Sequence, residues 1–319
     1  MTVPSAALRG VLSPVLTPFL ADGSPSLEHL VRHCRWLLAR DVGLALFGTN
    51  SEANSLSCAE KRDLLDGLID AGLPPARMLP GTGACALPDA IALTRHAVTR
   101  GCAGVLMLPP FFYKGVSDEG LFRGFAQVIE AVADARLRVV LYHIPLVAQV
   151  GISMALIERL LNAFPGTIAG IKDSGGDWDH TARLIETFQS DAFSVFAGNE
   201  TVLLRTLQHG GAGCITATGN INPDAIMRLV REWQLPDAQA QQHALNATRA
   251  IFQQYPIIPA MKAAMAWQSA DETWTRVRPP LVELDTRQRL DLEDHLARAG
   301  FVIPDAHALA CEPACADSQ

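Results

Sequence analysis

Short apolar runs alternate with longer amphipathic segments along most of this chain, and this alternation is the feature that most constrains its fold. The runs lack the strict apolar–polar alternation of half-exposed strands, so they indicate parallel strands that are buried on both faces. The segments between them have helical spacing. The predicted strands cover residues 11–19, 44–48, 78–83, 104–110, 139–145, 168–174, 193–198 and 213–218.

Eight strands that alternate with helices at intervals of about 30 residues are typical of a closed (β/α)8 TIM barrel of the α/β class. A doubly wound open sheet is the alternative, but it usually has fewer strands and a glycine-rich phosphate loop after the first one. Here the first strand ends in Thr-Pro-Phe, which does not fit such a loop. The pattern therefore favours the barrel.

Helix start signals support this division of the chain. Residues 57–60 (SCAE) form a capping box, Pro88 stands at a first helical position, and Ser117 and Ser153 are candidate caps. Each follows a predicted strand, so we expect the intervening segments to be helices.

The strand signals stop after residue 223, which predicts three successive regions. Residues 1–223 form the barrel, residues 224–302 form a C-terminal helical appendix that completes the same unit, and residues 303–319 form a flexible tail. The predicted helices of the appendix region cover residues 223–234, 237–255, 257–270 and 286–299.

Composition excludes several classes of protein. A net charge of −7 argues against a nucleic-acid-binding protein, which normally carries a basic patch. No apolar run reaches the roughly 18 residues that a membrane-spanning helix needs, and the N-terminus has no secretory signal. The seven cysteines show neither CxxC pairs nor zinc-ligand spacing. We therefore expect a cytoplasmic protein with no membrane segment.

The active site of a TIM barrel lies at the carboxyl ends of its strands, and the chain has four lysines. We expect Lys61 on a solvent-facing helix turn, Lys114 in a loop, and Lys262 with a packed stem and an amine at the surface. Lys172 alone ends a buried strand. Burial favours the uncharged amine, which attacks carbonyl groups, although an ion pair with Asp173 or another acid is an equal alternative.

Tyr142 ends the strand that precedes the strand of Lys172. Because neighbouring strands lie about 4.8 Å apart, its hydroxyl is in reach of an imine on that lysine and suits a proton relay. The alternative is a core tyrosine with a local hydrogen bond.

The GTNSE segment (48–52) offers Thr49, Asn50 and backbone N–H groups at a strand-to-helix turn. Such a turn can cradle a carboxylate, although the segment taken alone favours an ordinary turn. His143, Glu52, Asp173 and Glu200 lack metal-ligand spacing, so we predict no metal site.

Nine motifs in this order resemble the dihydrodipicolinate synthase / N-acetylneuraminate lyase superfamily of class I aldolases. The resemblance extends from Gly10 to about Trp267. The motifs are VLTPF (15–19), GTNSE (48–52), GTGA (81–84), PPFFY (109–113), YHIP (142–145), IKDS (171–174), GNE (198–200), GGAGCITATGNINP (210–223) and PAMKAA (259–264).

The resemblance implies a homotetramer with no metal and no dissociable cofactor. It makes Lys172 the imine-forming residue and Tyr142 the proton relay. Thr49 is implied to contact the substrate carboxylate and the tyrosine, and the backbone of Asn50 to bind the other carboxylate oxygen. Ile215 matches the position whose carbonyl faces the bound 2-oxo acid.

The sequence departs from the synthase pattern at four positions, two of which are Asn50 in place of a second hydroxyl and Ser51 in place of a glycine. Val147 stands where the synthase has an arginine that binds the second substrate's carboxylate. Phe112 replaces a relay tyrosine that a neighbouring subunit supplies, and Tyr113 is its candidate substitute. We therefore predict a Schiff-base lyase that acts on pyruvate or a related 2-oxo acid, together with an aldehyde that we leave unassigned. The alternatives are an authentic synthase, a barrel that binds the 2-oxo acid without turnover, and a metal-dependent barrel hydrolase.

Overall fold

A computed structural model describes residues 8–311 of the chain. Its seven strands run parallel to their neighbours within one sheet. They are β1 (Gly10–Ser13), β2 (Gly43–Leu44), β3 (Val105–Met107), β4 (Val139–His143), β5 (Ile168–Asp173), β6 (Ser194–Ala197) and β7 (Gly213–Ile215).

Residues 78–82 join the two edges of this sheet. The strand order is β2-β1-β7-β6-β5-β4-β3, which leaves β2 and β3 as edges. Met78 forms a parallel bridge with Leu44 of β2, and Gly81 forms one with Leu106 of β3. Eight strand positions therefore close in chain order around one axis, and the predicted (β/α)8 barrel is confirmed.

The predicted third strand (78–83) contributes these isolated bridges rather than a regular strand. Pro80 lies in its middle and has no N–H group, so it cannot donate to a ladder. The N–H group of Leu79 still donates to the carbonyl of Leu44 at 2.8 Å.

Helices surround the barrel and extend beyond it. Among the described residues, no helix combines the length and the apolar character needed to cross a bilayer. The helices are α1 (Leu27–Leu38), α2 (Cys58–Asp70), α3 (Leu87–Thr99), α4 (Asp118–Val132), α5 (Pro145–Ala148), α6 (Met154–Ala163), α7 (Trp178–Phe188), α8 (Leu203–Gln208), α9 (Pro223–Glu232), α10 (Ala238–Phe252), α11 (Ile257–Ser269) and α12 (Thr286–Arg298).

The predicted start signals lie at helix N-termini. Ser57 and Glu60 form the capping box of α2, with the Ser57 Oγ accepting from the Glu60 N–H at 3.1 Å. Ser117 and Ser153 cap α4 and α6 in the same way, and Pro88 lies in the first turn of α3. Local hydrogen-bonding chemistry thus sets where these helices begin.

Side chains alternate between the two faces of the strands, as the period of two requires. Val140, Tyr142 and Ile215 belong to a cluster that fills the barrel interior. Val139 and Leu141 belong to the larger core between the barrel and its helices. This alternation decides which polar side chain at a strand end enters the barrel and which faces the helices.

The structure corrects the expectation of a flexible tail from residue 303. Residues 303–311 pack against the appendix, where Ile303 and Leu309 are buried. The indole N–H of Trp274 donates to the carbonyl of Leu309 at 3.0 Å, and that of Trp36 donates to the carbonyl of Pro304 at 2.8 Å. Both indoles are buried and need an acceptor for their N–H groups, which this segment supplies. Residues 312–319 lie outside the described part of the chain.

We expect Leu309→Ala to lower the free energy of unfolding by about 2–4 kcal/mol, because it leaves a cavity where a fully buried side chain stood. Leu290→Ala on α12 is the matched control, since Leu290 is 61% exposed, and it should cost less than about 0.5 kcal/mol. Urea unfolding measures both. Equal effects would mean that this segment does not pack in solution.

Candidate active site

Lys172 and Tyr142 face each other inside the barrel mouth. They are register partners in the parallel β4–β5 ladder, so their side chains emerge on the same face of the sheet. Lys172 is 2% exposed, and its Nζ lies 4.2 Å from the centroid of the Tyr142 ring. The structure thus brings together the amine and the phenol that the sequence singles out.

No carboxylate within residues 8–311 lies at salt-bridge distance from the Lys172 amine. Asp173, its neighbour in sequence, emerges on the opposite face of β5. Its carboxylate accepts hydrogen bonds from the Gly175 N–H at 2.9 Å and the Thr181 hydroxyl at 2.7 Å, and it pairs with His180 at 3.0 Å. The alternative in which Lys172 pairs with Asp173 is therefore wrong.

The hydroxyl of Thr49 lies next to the hydroxyl of Tyr142. Thr49 opens a 3-10 turn, Thr49–Ser51, and its Oγ1 lies 3.2 Å from the hydroxyl of Tyr142. Hydroxyl groups both donate and accept, so the pair can pass a proton between the turn and the amine site. Asn50 is partly exposed at the same turn.

Two glycines of the GTGA motif let the backbone close around this turn. A Cβ on Gly81 would lie 2.2 Å from the carbonyl oxygen of Phe47, and one on Gly83 would lie 2.5 Å from the backbone N of Leu108. A Cβ atom cannot approach a backbone atom so closely, so both positions of the motif require glycine. The two glycines border a cavity of about 30 Å³ between Thr49 and Tyr142, which is roughly the volume of one water molecule.

Ile215 lies at the end of β7, is fully buried and belongs to the interior cluster with Tyr142. Tyr113 and Val147 are not part of this group. Their side chains are 74% and 63% exposed, and the neighbouring Phe112 is 71% exposed. In one chain, therefore, the candidate substrate contacts divide into a buried set and an exposed apolar set.

The other three lysines have structural contacts. Lys114 donates to the carbonyl of Ala148 at 2.7 Å and so connects its loop to α5. The solvent-facing position expected for Lys61 is wrong, because that residue is 7% exposed. The surface amine expected for Lys262 is also wrong. Lys262 is fully buried in an ion pair with Glu52, and burial lowers its pKa to about 8.

A second buried ion pair lies behind β7. Arg249 of α10 approaches Glu200 at 3.1 Å, and Glu200 also accepts hydrogen bonds from the hydroxyls of Thr216 and Thr218. Sequence reasoning considered Glu200 only as a possible metal ligand. Arg249 comes from a distant helix and the two threonines follow another strand, so the sequence carried no local signal of this network.

His143, Asp173 and His180 form a cluster on the outer face of β4 and β5. One potential ligand atom from each lies within 4.8 Å of the others, and the two imidazole rings stack at 4.9 Å. The hydrogen bond to Asp173 raises the pKa of His180. Burial lowers the pKa of His143 and keeps its ring neutral.

The tautomer of His143 does not favour a metal ion in this cluster. The Ile152 N–H donates to Nδ1 at 3.0 Å, so the neutral ring carries its proton on Nε2 and has no second lone pair to offer. Of the other acids considered, Glu52 and Glu200 are engaged by Lys262 and Arg249. The expectation of no metal stays a prediction.

Comparison with known proteins places the same motifs in a known family. Residues 7–299 match the family model described as the dihydrodipicolinate synthetase family. An uncharacterised DapA-like lyase from Chloroflexus aurantiacus is 36% identical, covering 88% of this chain and 93% of that protein. A 4-hydroxy-tetrahydrodipicolinate synthase from Methanococcoides burtonii is 30% identical, covering 92% and 98%.

Solved structures agree in fold. Dihydrodipicolinate synthase from Agrobacterium tumefaciens superposes with a TM-score of 0.82 at 30% identity, covering 91% of this chain and 99% of that one. YagE, a prophage protein of the dihydrodipicolinic acid synthase family from E. coli K12 in complex with pyruvate, gives 0.84 at 27% identity, covering 93% and 100%.

We expect His180→Gln to destabilise the protein by about 1 kcal/mol at pH 5 and by less at pH 9. The folded protein raises the pKa of His180, so its stabilisation is complete below the ordinary value of about 6.5 and is lost as the pH rises through the folded value. Urea unfolding at the two pH values tests this. His243→Gln, at an exposed position of α10, is the control, and an equal loss at both pH values for His180→Gln would contradict the pairing.

Proposed function

The chain belongs to the dihydrodipicolinate synthetase family and is a class I aldolase-type lyase, and from this premise we propose that it holds pyruvate or a related 2-oxo acid as a Schiff base on Lys172. The observation that carries this proposal is the environment of the amine. Lys172 is buried, faces Tyr142, and has no carboxylate within salt-bridge distance in the described part of the chain. These are the conditions in which a lysine serves as a nucleophile.

The first half of the reaction forms the imine. The Lys172 nitrogen attacks the ketone carbon, and the carbonyl oxygen becomes the hydroxyl of a carbinolamine. The Tyr142 hydroxyl, linked to Thr49, donates the proton with which this hydroxyl leaves as water. The product is a protonated imine that withdraws electrons from the adjacent carbon.

The second half of the reaction uses the electron withdrawal by the protonated imine. Loss of a proton, or cleavage of a C–C bond with release of an aldehyde, converts the iminium to an enamine. In the reverse direction the enamine adds to an aldehyde. We assign this proton exchange to Tyr142, and the contact of its ring with the Lys172 amine supports the assignment.

Three groups suit the 2-oxo acid itself. The Thr49 hydroxyl and the backbone of Asn50 lie on the 3-10 turn, whose N–H groups suit a carboxylate. Ile215 ends a strand in the same interior cluster, and its carbonyl is our candidate contact on the opposite side. The bound pyruvate named for the E. coli relative supports the choice of first substrate.

Val147 limits which aldehydes can serve as the second substrate. A valine cannot replace the bidentate grip of a guanidinium on a carboxylate. We therefore propose an aldehyde partner other than aspartate semialdehyde. The cytoplasm is our proposed compartment, since the cysteines of the described residues are free.

We extend the proposal to a homotetramer. Phe112, Tyr113, Leu146 and Val147 are each more than 60% exposed, and clustered exposed apolar side chains are typical of subunit interfaces. A second copy packed there would also bring the Tyr113 hydroxyl under cover. Sedimentation velocity should give the mass of four chains, and Phe112→Asp should reduce that mass. A monomeric wild-type protein would contradict this extension.

Incubation with pyruvate and borohydride should add a single reduced pyruvyl group to Lys172, because the imine is the species that borohydride reduces. Intact mass and peptide mapping measure it. Lys172→Met keeps the length of the side chain, lacks the amine, and should remain unmodified. An unmodified wild-type mass in excess pyruvate would contradict the proposed function.

A panel of hydroxylated 2-oxo acids then separates the alternatives. A lyase releases pyruvate from at least one of them, whereas a barrel that only binds the 2-oxo acid is trapped by borohydride but releases none. Retention of activity after EDTA treatment excludes the metal-dependent hydrolase.

A further inference from the structure

The Glu52–Lys262 ion pair lies directly behind the turn that carries Thr49 and joins it to helix α11. From this geometry we infer that Glu52 and Lys262 are positioning residues, which hold the turn in the shape that binds the substrate carboxylate. The inference rests on the proposed function, because it concerns the carboxylate of a 2-oxo acid on Lys172.

The backbone conformation of Glu52 requires stabilising contacts from outside the turn. Its φ of 56° lies in the left-handed region, which a residue other than glycine adopts at an energetic cost. Both carboxylate oxygens are engaged, Oε1 by the Lys262 amine and Oε2 by the Arg278 N–H at 2.9 Å. The Glu52 N–H donates to the carbonyl of Thr49 at 3.1 Å, so the contacts of the Glu52 carboxylate also restrain the position of Thr49.

The lysine side of the pair is equally constrained. Lys262 also donates to the carbonyl of Arg276 at 2.7 Å, and its Nζ lies 4.6 Å from the ring centroid of Phe19. Both charged side chains are fully removed from water. Removing one partner would leave the other as a buried charge without its ion-pair partner, and we expect the turn to move in response.

A second contact holds the far end of the same loop. The Arg278 guanidinium donates to the carbonyl of Ser55 at 2.7 Å and pairs with Glu60 at the start of α2. The appendix therefore contacts the segment from Thr49 to Ser55 at two points, Glu52 and Ser55. Lys172 lies on β5 and takes part in neither contact. Loss of the ion pair should therefore affect the binding of the substrate carboxylate and leave the reactivity of the Lys172 amine unchanged.

We expect Lys262→Met to raise the pyruvate concentration that gives half-maximal borohydride trapping by about tenfold, since a misplacement of about 1 Å can cost about a hundredfold and we expect the turn to move by less. The amount trapped at saturating pyruvate should stay at the wild-type level. Glu52→Gln alone should show the same shift, which keeps the inference testable if Lys262→Met does not fold.

The double variant Glu52→Gln/Lys262→Met removes both charges and retains side chains of similar size. Its half-maximal concentration should lie within about threefold of those of the single variants, because two residues that act through one link lose that link only once. Leu296→Ala on α12 is the matched control. It removes a fully buried side chain of the appendix away from the pair and should lower the melting temperature without changing the pyruvate dependence.

An unchanged pyruvate dependence in both single variants would overturn the inference and leave the proposed function intact. So would an equal shift in Leu296→Ala, which indicates general loosening of the fold, or a double variant whose shift is the product of the two single shifts, which indicates that the two residues act independently. A wild-type protein that borohydride does not trap would instead contradict the proposed function, and the inference with it.

Discussion

The register between β4 and β5 is the constraint on which the rest of the site depends. It sets Tyr142 opposite Lys172 on the inner face and His143 opposite Asp173 on the outer face. Because side chains alternate strictly along a strand, a shift of one residue would exchange these pairs and place an aspartate in the barrel mouth. The site has a lysine without a carboxylate partner because the neighbouring acid faces the helices.

The outer pair, His143 and Asp173, is therefore set by the same register as the inner pair. Asp173 finds its hydrogen bonds with His180, Thr181 and Gly175, all within eight residues of it. These bonds outweigh the effect of burial and hold the pKa of Asp173 below its ordinary value. A carboxylate that is satisfied in this way has no tendency to turn toward the amine on the other face.

The C-terminal helices contribute cations to the two walls of the barrel mouth. Lys262 of α11 meets Glu52 behind the Thr49 turn, and Arg249 of α10 meets Glu200 behind the end of β7. Buried pairs of this kind add little net stability, because desolvation offsets most of their attraction, but they fix the geometry of what they join. The helical appendix is thus connected to the site through charge rather than only through apolar packing.

The sequence by itself determined the elements that obey local rules. Apolar runs set the strands, serine caps and a proline set the helix starts, and the single lysine that ends a buried strand marked Lys172. The resemblance to the aldolase superfamily singled out Thr49 and Ile215, and the strand-end positions of Lys172 and Tyr142 indicated that all four lie near one mouth of a barrel. The tertiary structure alone decided that Lys262 and Lys61 are buried, that residues 303–311 pack, and that His180 joins Asp173. The partners of Lys262 and of residues 303–311 are far away in sequence, where neither periodicity nor spacing carries information. His180 is only seven residues from Asp173, but their pairing depends on how α7 lies against β5.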